Sequence, residues 1–361
     1  MKEKEKQLFK ALCKFKDKFT NPSLIEYATP TVLGHLFFNR MHGVAYDMLK
    51  RNGLLGMVNR EFRNSLGTAY DQNIWKNESF KKCLVLLSEI LSGCSCKVAM
   101  LKGAYLCVHY PDGYRTSNDV DLLVLPKDVT MVGNLLSSAG FCQGNVRNGK
   151  FIPATRQEII ESKMMRGETV PYIKEVNLPF MKFLEVDINF SLDYKNGNQD
   201  ILSDMFSNIC IKNEKGLTIC TLEDADFFIH LCAHLYKEAT TLPWIEMHRD
   251  MTLYKYCDIY MLLSEMTDAQ LQSVFSRANQ LGMEKVCAYT VLDTMELFDM
   301  ENPLAYGIAQ VALKDDPSFC LRVVAPKDKK VLMYQTTDVT ERFFMPSRVG
   351  DLKEVTTNEI P

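Results

Sequence analysis

Residues 101–125 read LKGAYLCVHYPDGYRTSNDVDLLVL, and this stretch decides which fold the chain can adopt. An apolar run, KVAML at 97–101, ends at Lys102-Gly103, and a second one, VDLLVL at 120–125, ends at Pro126. Short apolar runs that Gly or Pro terminate are typical of buried strands. The segment between them has the length of a helix, so Gly103 is predicted to open a helix directly after the first strand.

Asp119 and Asp121 lie at the start of the second predicted strand. Residues two apart on a strand project to the same side, so the two carboxylates point to one place. Buried charges without partners are costly, and such a pair needs a cation, for which the oxygen ligands suit Mg²⁺. Asp-x-Asp alone also occurs as a pair of solvated turn or cap acids. Its combination with Lys-Gly, each attached to an apolar strand, favours a metal site.

Lys102 and Gly103 are the predicted phosphate contacts. A helix that opens at Gly103 presents the N–H groups of Gly103 and Ala104 and the positive end of its dipole. Lys102 adds a mobile cation at the same place. Another strand is predicted at 183–190, FLEVDINF, where apolar and polar residues alternate.

These motifs resemble the uncharacterised nucleotidyltransferase family of the polymerase-β-like superfamily. The family shows Lys-Gly, Tyr-Pro, Arg and then Asp-x-Asp before a hydrophobic strand, which here are Lys102-Gly103, Tyr110-Pro111, Arg115 and Asp119-x-Asp121. Lys-Gly stands where many relatives in the wider superfamily have Gly-Ser. The resemblance extends over about residues 80–300.

Later segments carry the resemblance further. Glu185–Asn189 is similar to the family's Asp-Leu-His-Trp strand, with Asp187 in the aspartate place and Asn189 where His is usual. His234–Lys237 is similar to its His-x-x-Lys helix, and the segment Asp258–Leu263 to its Asp-Ile-x-x-Leu-Leu helix. The long spacing from His234 to Asp258 predicts a loop insertion near Pro243–Glu246.

The resemblance implies transfer of a nucleoside monophosphate from a nucleoside triphosphate to an acceptor, with release of pyrophosphate. It implies two Mg²⁺ ions, which Mn²⁺ can replace, held by Asp119, Asp121 and Asp187. Glu185 lies on the same face of its strand and is the rival for the third position. The implied nucleotide-binding residues are Lys102, Gly103, Arg115, Ser117, His234 and Lys237. For Arg115 and Ser117 a polar loop is an equal alternative.

Other functions stay open at this point. The module can be catalytically degenerate and only bind a nucleotide or a partner, or it can modify protein or RNA, as toxin-type relatives do. His230 and His234 lie four apart on a predicted helix, which is also a zinc-binding spacing. Leu231, however, stands where the hydrolytic Glu of such a site is needed. Family members often accompany natural-product gene sets, which favours a small-molecule or peptide acceptor.

Composition limits the partners and the location. The net charge of −3 and pI near 6.1 give no overall basic field, so a nucleic-acid substrate is disfavoured. The twelve cysteines are scattered without Cys-x-x-Cys, which is typical of reduced thiols in a cytoplasmic protein. No run of 18 apolar residues predicts a membrane-spanning helix.

The predicted fold is α+β: a minimal nucleotidyltransferase mixed sheet of three to five strands, flanked by N- and C-terminal helices. The predicted regions are an N-terminal helical region at 1–93, a nucleotidyltransferase α/β core at 94–215 and a mostly helical region at 216–361. The last forty residues show no clear periodicity.

Overall fold

The computed structural model describes residues 1–192 and 199–355. The chain forms two compact units, one of Thr68–Phe227 and one of Met1–Gly67 together with Phe228–Pro361. These bounds differ from those of the three predicted regions, because the N- and C-terminal segments belong to the same unit. The predicted α+β fold is confirmed.

The helices and strands, in chain order, begin with a helical N-terminal segment. Its members are α1 (Glu3–Cys13), α2 (Pro30–Phe38), α3 (His42–Arg51) and α4 (Arg60–Leu91). The strand-rich segment follows, with β1 (Ala99–Met100), α5 (Gly103–His109), β2 (Asp119–Leu123), α6 (Val129–Ser138), β3 (Cys142–Arg147), β4 (Lys150–Pro153), α7 (Arg156–Arg166), β5 (Tyr172–Leu178), β6 (Met181–Asn189), α8 (Gln199–Ser207), β7 (Ile209–Glu214) and β8 (Leu217–Leu222).

The C-terminal segment is mostly helical. It comprises α9 (Asp224–Ala239), α10 (Leu242–Glu246), α11 (Leu253–Glu265), α12 (Asp268–Gln280), α13 (Glu284–Leu297), α14 (Pro303–Ala312), β9 (Arg322–Ala325), β10 (Lys330–Tyr334), α15 (Val339–Phe344) and β11 (Leu352–Glu354). Short 3₁₀ helices lie at Pro22–Tyr27, Pro126–Asp128, Pro317–Leu321 and Val349–Asp351.

A mixed sheet forms the centre of the 68–227 unit. Its order is β1-β2-β6-β5-β3-β4, in which β2 and β6 are parallel and the other neighbours antiparallel. Within the described residues the sheet therefore has six strands, which is more than the predicted three to five. The polar segment 141–181 contains three of these strands, β3, β4 and β5.

Alternation along β2 and β6 gives the sheet an apolar and a polar face. The buried face carries Val120 and Leu122 of β2 with Leu184, Val186 and Ile188 of β6, all fully buried. The apolar residues of both strands thus pack into one core, as the period of two requires. The intervening polar residues of both strands must project from the other face.

The other unit adds a small sheet that the sequence does not predict. β9, β10 and β11 form an antiparallel sheet of order β11-β10-β9 within the last forty residues. Ile245 of α10 packs against Val323 and Tyr334 of this sheet in a buried cluster. The C-terminal segment is therefore an integral part of this unit's core.

Across residues 1–192 and 199–355, no helix is both long and apolar enough to cross a membrane.

Candidate active site

Four carboxylates share the polar face of the central sheet. In the parallel register of β2 and β6, Asp119 is opposite Glu185 and Asp121 is opposite Asp187. Residues that are paired across neighbouring strands project to the same side of the sheet. All four acids are partly exposed, whereas the neighbouring residue Val120 is fully buried. The structure thus brings Asp119, Asp121 and Asp187 together, with Glu185 beside them, as a group that we call the acid face.

Asp121 of the acid face accepts hydrogen bonds from two side chains. The Lys102 Nζ donates a hydrogen bond to Asp121 Oδ1 at 2.9 Å, and Asn189 Nδ2 donates to the same oxygen at 3.2 Å. Beside it, Ser117 Oγ donates to Asp119 Oδ1 at 2.5 Å. The Lys102 side chain therefore lies against a carboxylate of the acid face.

The acids of this face differ in pKa. Burial, and next the negative charges of Asp121 and Asp119, hold the pKa of Asp187 well above its ordinary value. Burial and the charge of Asp119 raise the pKa of Glu185 in the same direction. Burial and the neighbouring carboxylates therefore both disfavour the charged form of Asp187.

The pKa of Asp119 is shifted in the opposite direction. Burial alone would raise its pKa, but the hydrogen bond from Ser117 and the charges of Lys102 and Arg115 outweigh burial, so its pKa lies below the ordinary value. Burial alone would lower the pKa of Lys102. The negative charges of the carboxylates, Asp121 foremost, outweigh burial and hold this pKa above its usual value. Both groups are thus stabilised in their charged forms.

The donor set on this face suits a hard divalent cation. Carboxylate oxygens are the ligands that Mg²⁺ prefers, and a cation among neighbouring carboxylates relieves their mutual repulsion. Within the described residues, however, no group of three or more His, Cys, Asp or Glu side chains is already arranged around a single metal position. The side-chain chemistry of the acid face thus suits a divalent cation, but its acids do not form a metal site in this arrangement, in which Lys102 supplies a positive charge beside Asp121.

A model of the family described as uncharacterised nucleotidyltransferase matches residues 31–299, which are 269 of the 361 residues. The chain belongs to this family. A solved structure, an antigenic nucleotidyltransferase-like protein from Paracoccidioides brasiliensis, is similar at 15% sequence identity over 61% of this chain and 92% of that chain, with a TM-score of 0.35. A comparison with curated proteins gave no match.

The Lys-Gly turn has an unusual backbone conformation at Lys102. Lys102 has φ 44° and ψ −113°, near the values of the first central residue of a type II′ turn, where glycine dominates. A side chain with positive φ is strained, at a typical cost of about 1–3 kcal/mol, and such residues cluster at functional sites. In this chain a lysine takes this position, and its ammonium group reaches the acid face.

Close packing against Ser117 leaves no room for a side chain at Gly103. A Cβ at this position would lie 2.7 Å from Ser117 Oγ and 2.9 Å from Ser117 Cβ. The missing side chain allows the start of α5 to approach Ser117, which in turn holds Asp119. The prediction that the Ala104 N–H faces a phosphate is wrong for this conformation, because it donates to the Leu101 carbonyl at 3.0 Å.

We expect Gly103→Ala to impair any activity of the acid face, because the added methyl group displaces Ser117 and with it Asp119. A misplacement of about 1 Å can cost about a hundredfold in rate, and overpacking typically costs about 1–3 kcal/mol of stability. Gly307→Ala is the matched control, since that helical glycine has no atom within 4 Å of an added Cβ. The control should be stabilising by about 0.4–1 kcal/mol. Unchanged activity and stability in Gly103→Ala would contradict the close packing described above.

The other predicted nucleotide contacts lie in two places. Arg115 Nη1 donates to the Thr116 carbonyl at 2.6 Å. The positive charge of Arg115 helps to lower the pKa of Asp119. His234 and Lys237 lie on the part of α9 that belongs to the other unit. There, His234 Nε2 is 3.5 Å from Glu238 Oε1. Their contact with a nucleotide stays a prediction.

Two further residues contribute to the acid face. Asn189, which replaces the family's usual His, donates to Asp121. Glu168 forms a β-bridge with Asn189, and its charge helps to raise the pKa of Asp187. The family motif points to Asn189, but Glu168 lies in the polar segment 141–181 and carries no sequence signal.

Proposed function

We propose that this protein transfers a nucleoside monophosphate from a nucleoside triphosphate to an acceptor and releases pyrophosphate. The observation that carries this proposal is the acid face, where four carboxylates on adjacent parallel strands lie beside Lys102. Membership of a nucleotidyltransferase family supports the same reaction. Phosphoryl chemistry depends mainly on positioning and charge neutralisation, which such a face can supply.

Asp119, Asp121 and Asp187 are the proposed ligands of two Mg²⁺ ions, which Mn²⁺ can replace. When bound, the metal neutralises negative charge on the attacking and leaving oxygens of an in-line displacement. The electrostatics support Asp187 over Glu185 as the third ligand. After burial, the negative charges of both Asp121 and Asp119 raise the pKa of Asp187, whereas the charge of Asp119 raises that of Glu185.

The remaining residues position the triphosphate in this proposal. The Lys102 ammonium pairs with Asp121 and is close enough to the acids to bind a phosphate oxygen beside them. Ser117 fixes the orientation of Asp119 through its hydrogen bond. Gly103 and Arg115 lie in the same unit as the acid face and are further proposed nucleotide contacts. His234 and Lys237 lie in the other unit, and their proposed role depends on the family resemblance alone.

The acceptor is proposed to be a small molecule or a peptide. The net charge of −3 disfavours a polynucleotide, which a basic surface would attract. The scattered cysteines support a cytoplasmic location for this reaction.

A binding module without catalysis is the second candidate function. It is favoured by one observation, the direct pairing of Lys102 with Asp121 at 2.9 Å, since the lysine then supplies a positive charge at a proposed metal ligand. Such a module binds a nucleotide through Lys102 and the neighbouring polar groups and needs no Mg²⁺.

Metal dependence separates the two functions. We expect a nucleoside triphosphate with Mg²⁺ to raise the melting temperature and, with a suitable acceptor, to yield pyrophosphate. Stabilisation follows RT ln(1 + [L]/Kd), so a hundredfold excess over Kd corresponds to about 2.7 kcal/mol. The measurement is thermal unfolding with each of four triphosphates, in Mg²⁺ and in excess chelator, alongside pyrophosphate release from a panel of small-molecule and peptide acceptors. Equal thermal shifts in both conditions, without pyrophosphate, would favour the binding module.

A further inference from the structure

One cavity lies entirely within the unit that contains the N- and C-terminal segments. Its volume is about 360 Å³, within the range of small-ligand pockets. It is lined by the end of α2 with Arg40, by Glu238 of α9, and by the segment that runs from Trp244 to Lys255. We call it the 244–255 pocket.

The 244–255 pocket has an excess of positive charge. Lys255 is paired with Glu238, the acid among the lining residues. Arg40 and Arg249 also line the cavity and are exposed, and neither forms an ion pair with another described residue. Arginine presents a planar fork of donors that fits phosphate and carboxylate groups. The pocket can therefore bind an anion without breaking an existing ion pair.

Aromatic rings accompany these cations. The Arg40 guanidinium lies 4.9 Å from the centroid of the Tyr254 ring, and Lys255 Nζ lies 5.8 Å from that of Trp244. Phe38 contributes a further ring that is 61% exposed. Trp244 and Tyr254 are partly exposed, and aromatic rings beside cations bind flat, aromatic ligands by stacking and by cation–π contacts.

Two residues that line the pocket have a left-handed backbone conformation. Arg40 and His248 have φ of 56° and 55°. Each lies two residues after the last residue of its helix, and the N–H of the next residue donates back along the chain, from Met41 to Leu36 O and from Arg249 to Trp244 O. Glycine is preferred at this position because it adopts positive φ without strain. The pocket thus receives a long basic side chain and an imidazole at two positions where glycine would stabilise the fold.

We propose that the 244–255 pocket binds a planar aromatic ring that carries a phosphate or carboxylate group, of about the size of a nucleoside monophosphate. In this arrangement the ring lies against Trp244 and Tyr254, and the anionic group lies between Arg40 and Arg249. The site goes beyond the proposed transferase function, since its residues are distinct from the acid face and it needs no metal.

Tryptophan fluorescence tests this site selectively. Trp75 and Trp244 are the two tryptophans of the chain, so Trp75→Phe leaves Trp244 as the reporter. The full-length variant is titrated with AMP, with adenosine and with inorganic phosphate, all in excess chelator. We expect AMP to quench Trp244 saturably and to bind at least about ten times more tightly than adenosine or phosphate, because both parts of the ligand are recognised. Adding Asp121→Asn to the variant should leave this affinity unchanged, whether or not the acid face is catalytic.

Substitution of the arginines supplies the matched comparison. Arg40→Met and Arg249→Met should each weaken AMP binding at least about tenfold, whereas Arg60→Met, at an exposed arginine outside the pocket, should not. Arg40→Gly should also lose binding but raise the melting temperature by about 1–3 °C, which excludes misfolding as the cause. The proposal is overturned if AMP gives no saturable quench, if adenosine binds as well as AMP, or if Arg40→Met binds like Arg60→Met.

Discussion

Asp121→Asn is expected to reduce nucleotidyl transfer at least about a thousandfold, since charge stabilisation by a bound metal is worth several kcal/mol and each 1.36 kcal/mol is tenfold. Asp121 is at the centre of the acid face, where it accepts hydrogen bonds from both Lys102 and Asn189. An amide of the same shape removes the negative charge that the proposed metal and Lys102 require.

The stability of Asp121→Asn should change little. The substitution loses the pair with Lys102 but also removes the Asp121 charge, which after burial is the main cause that raises the pKa of Asp187. The measurement is pyrophosphate release in saturating Mg²⁺ and triphosphate, combined with thermal unfolding of the same samples. Asp71→Asn is the matched control, because Asp71 is an exposed carboxylate on α4 in the same unit. Transfer by Asp121→Asn within a few-fold of the unmodified protein would remove Asp121 from the active site.

The shared face of the acids is predictable from local sequence. A period of two places Asp119 with Asp121 and Glu185 with Asp187, and the apolar residues between them define the buried side. The register between the strands is not local. That Asp187, and not Glu185, is opposite Asp121 depends on which hydrogen bonds β2 and β6 form, and neither strand encodes this alone.

Long-range pairing also explains what the sequence does not predict. β3 and β4 form a local hairpin, as do β5 and β6, but the pairing that joins them into one sheet, Cys142 with Ile173, links residues about thirty positions apart. Glu168 reaches the acid face only through its bridge to Asn189. Lys102 is predicted as a phosphate ligand from the Lys-Gly motif, but its positive φ and its contact with Asp121 follow from the three-dimensional turn.

The C-terminal segment, which has no clear periodicity, is fixed by a buried ion pair. Arg348 Nε donates to Asp250 Oδ2 at 2.6 Å, and Arg348 Nη2 donates to Asp250 Oδ1 at 2.7 Å. The side chain of Asp250 is completely buried and that of Arg348 is 6% exposed. Two parallel bonds of this kind satisfy both charged groups in an interior where water cannot. Sequence periodicity gives no sign of this contact, because its partners are 98 residues apart.

Asp250→Ala is expected to lower the free energy of unfolding by about 3–5 kcal/mol, because it leaves the buried Arg348 charge without its partner. The double variant Asp250→Leu with Arg348→Met should recover most of this loss, since an apolar pair of similar volume avoids the desolvation of both charges. Glu354→Ala, which breaks the exposed pair between Lys330 and Glu354, is the control and should cost about 0–1 kcal/mol. The measurement is urea unfolding followed by circular dichroism. A cost below about 1 kcal/mol for Asp250→Ala would mean that Arg348 reaches solvent when its partner is removed, and that this pair does not fix the C-terminal segment.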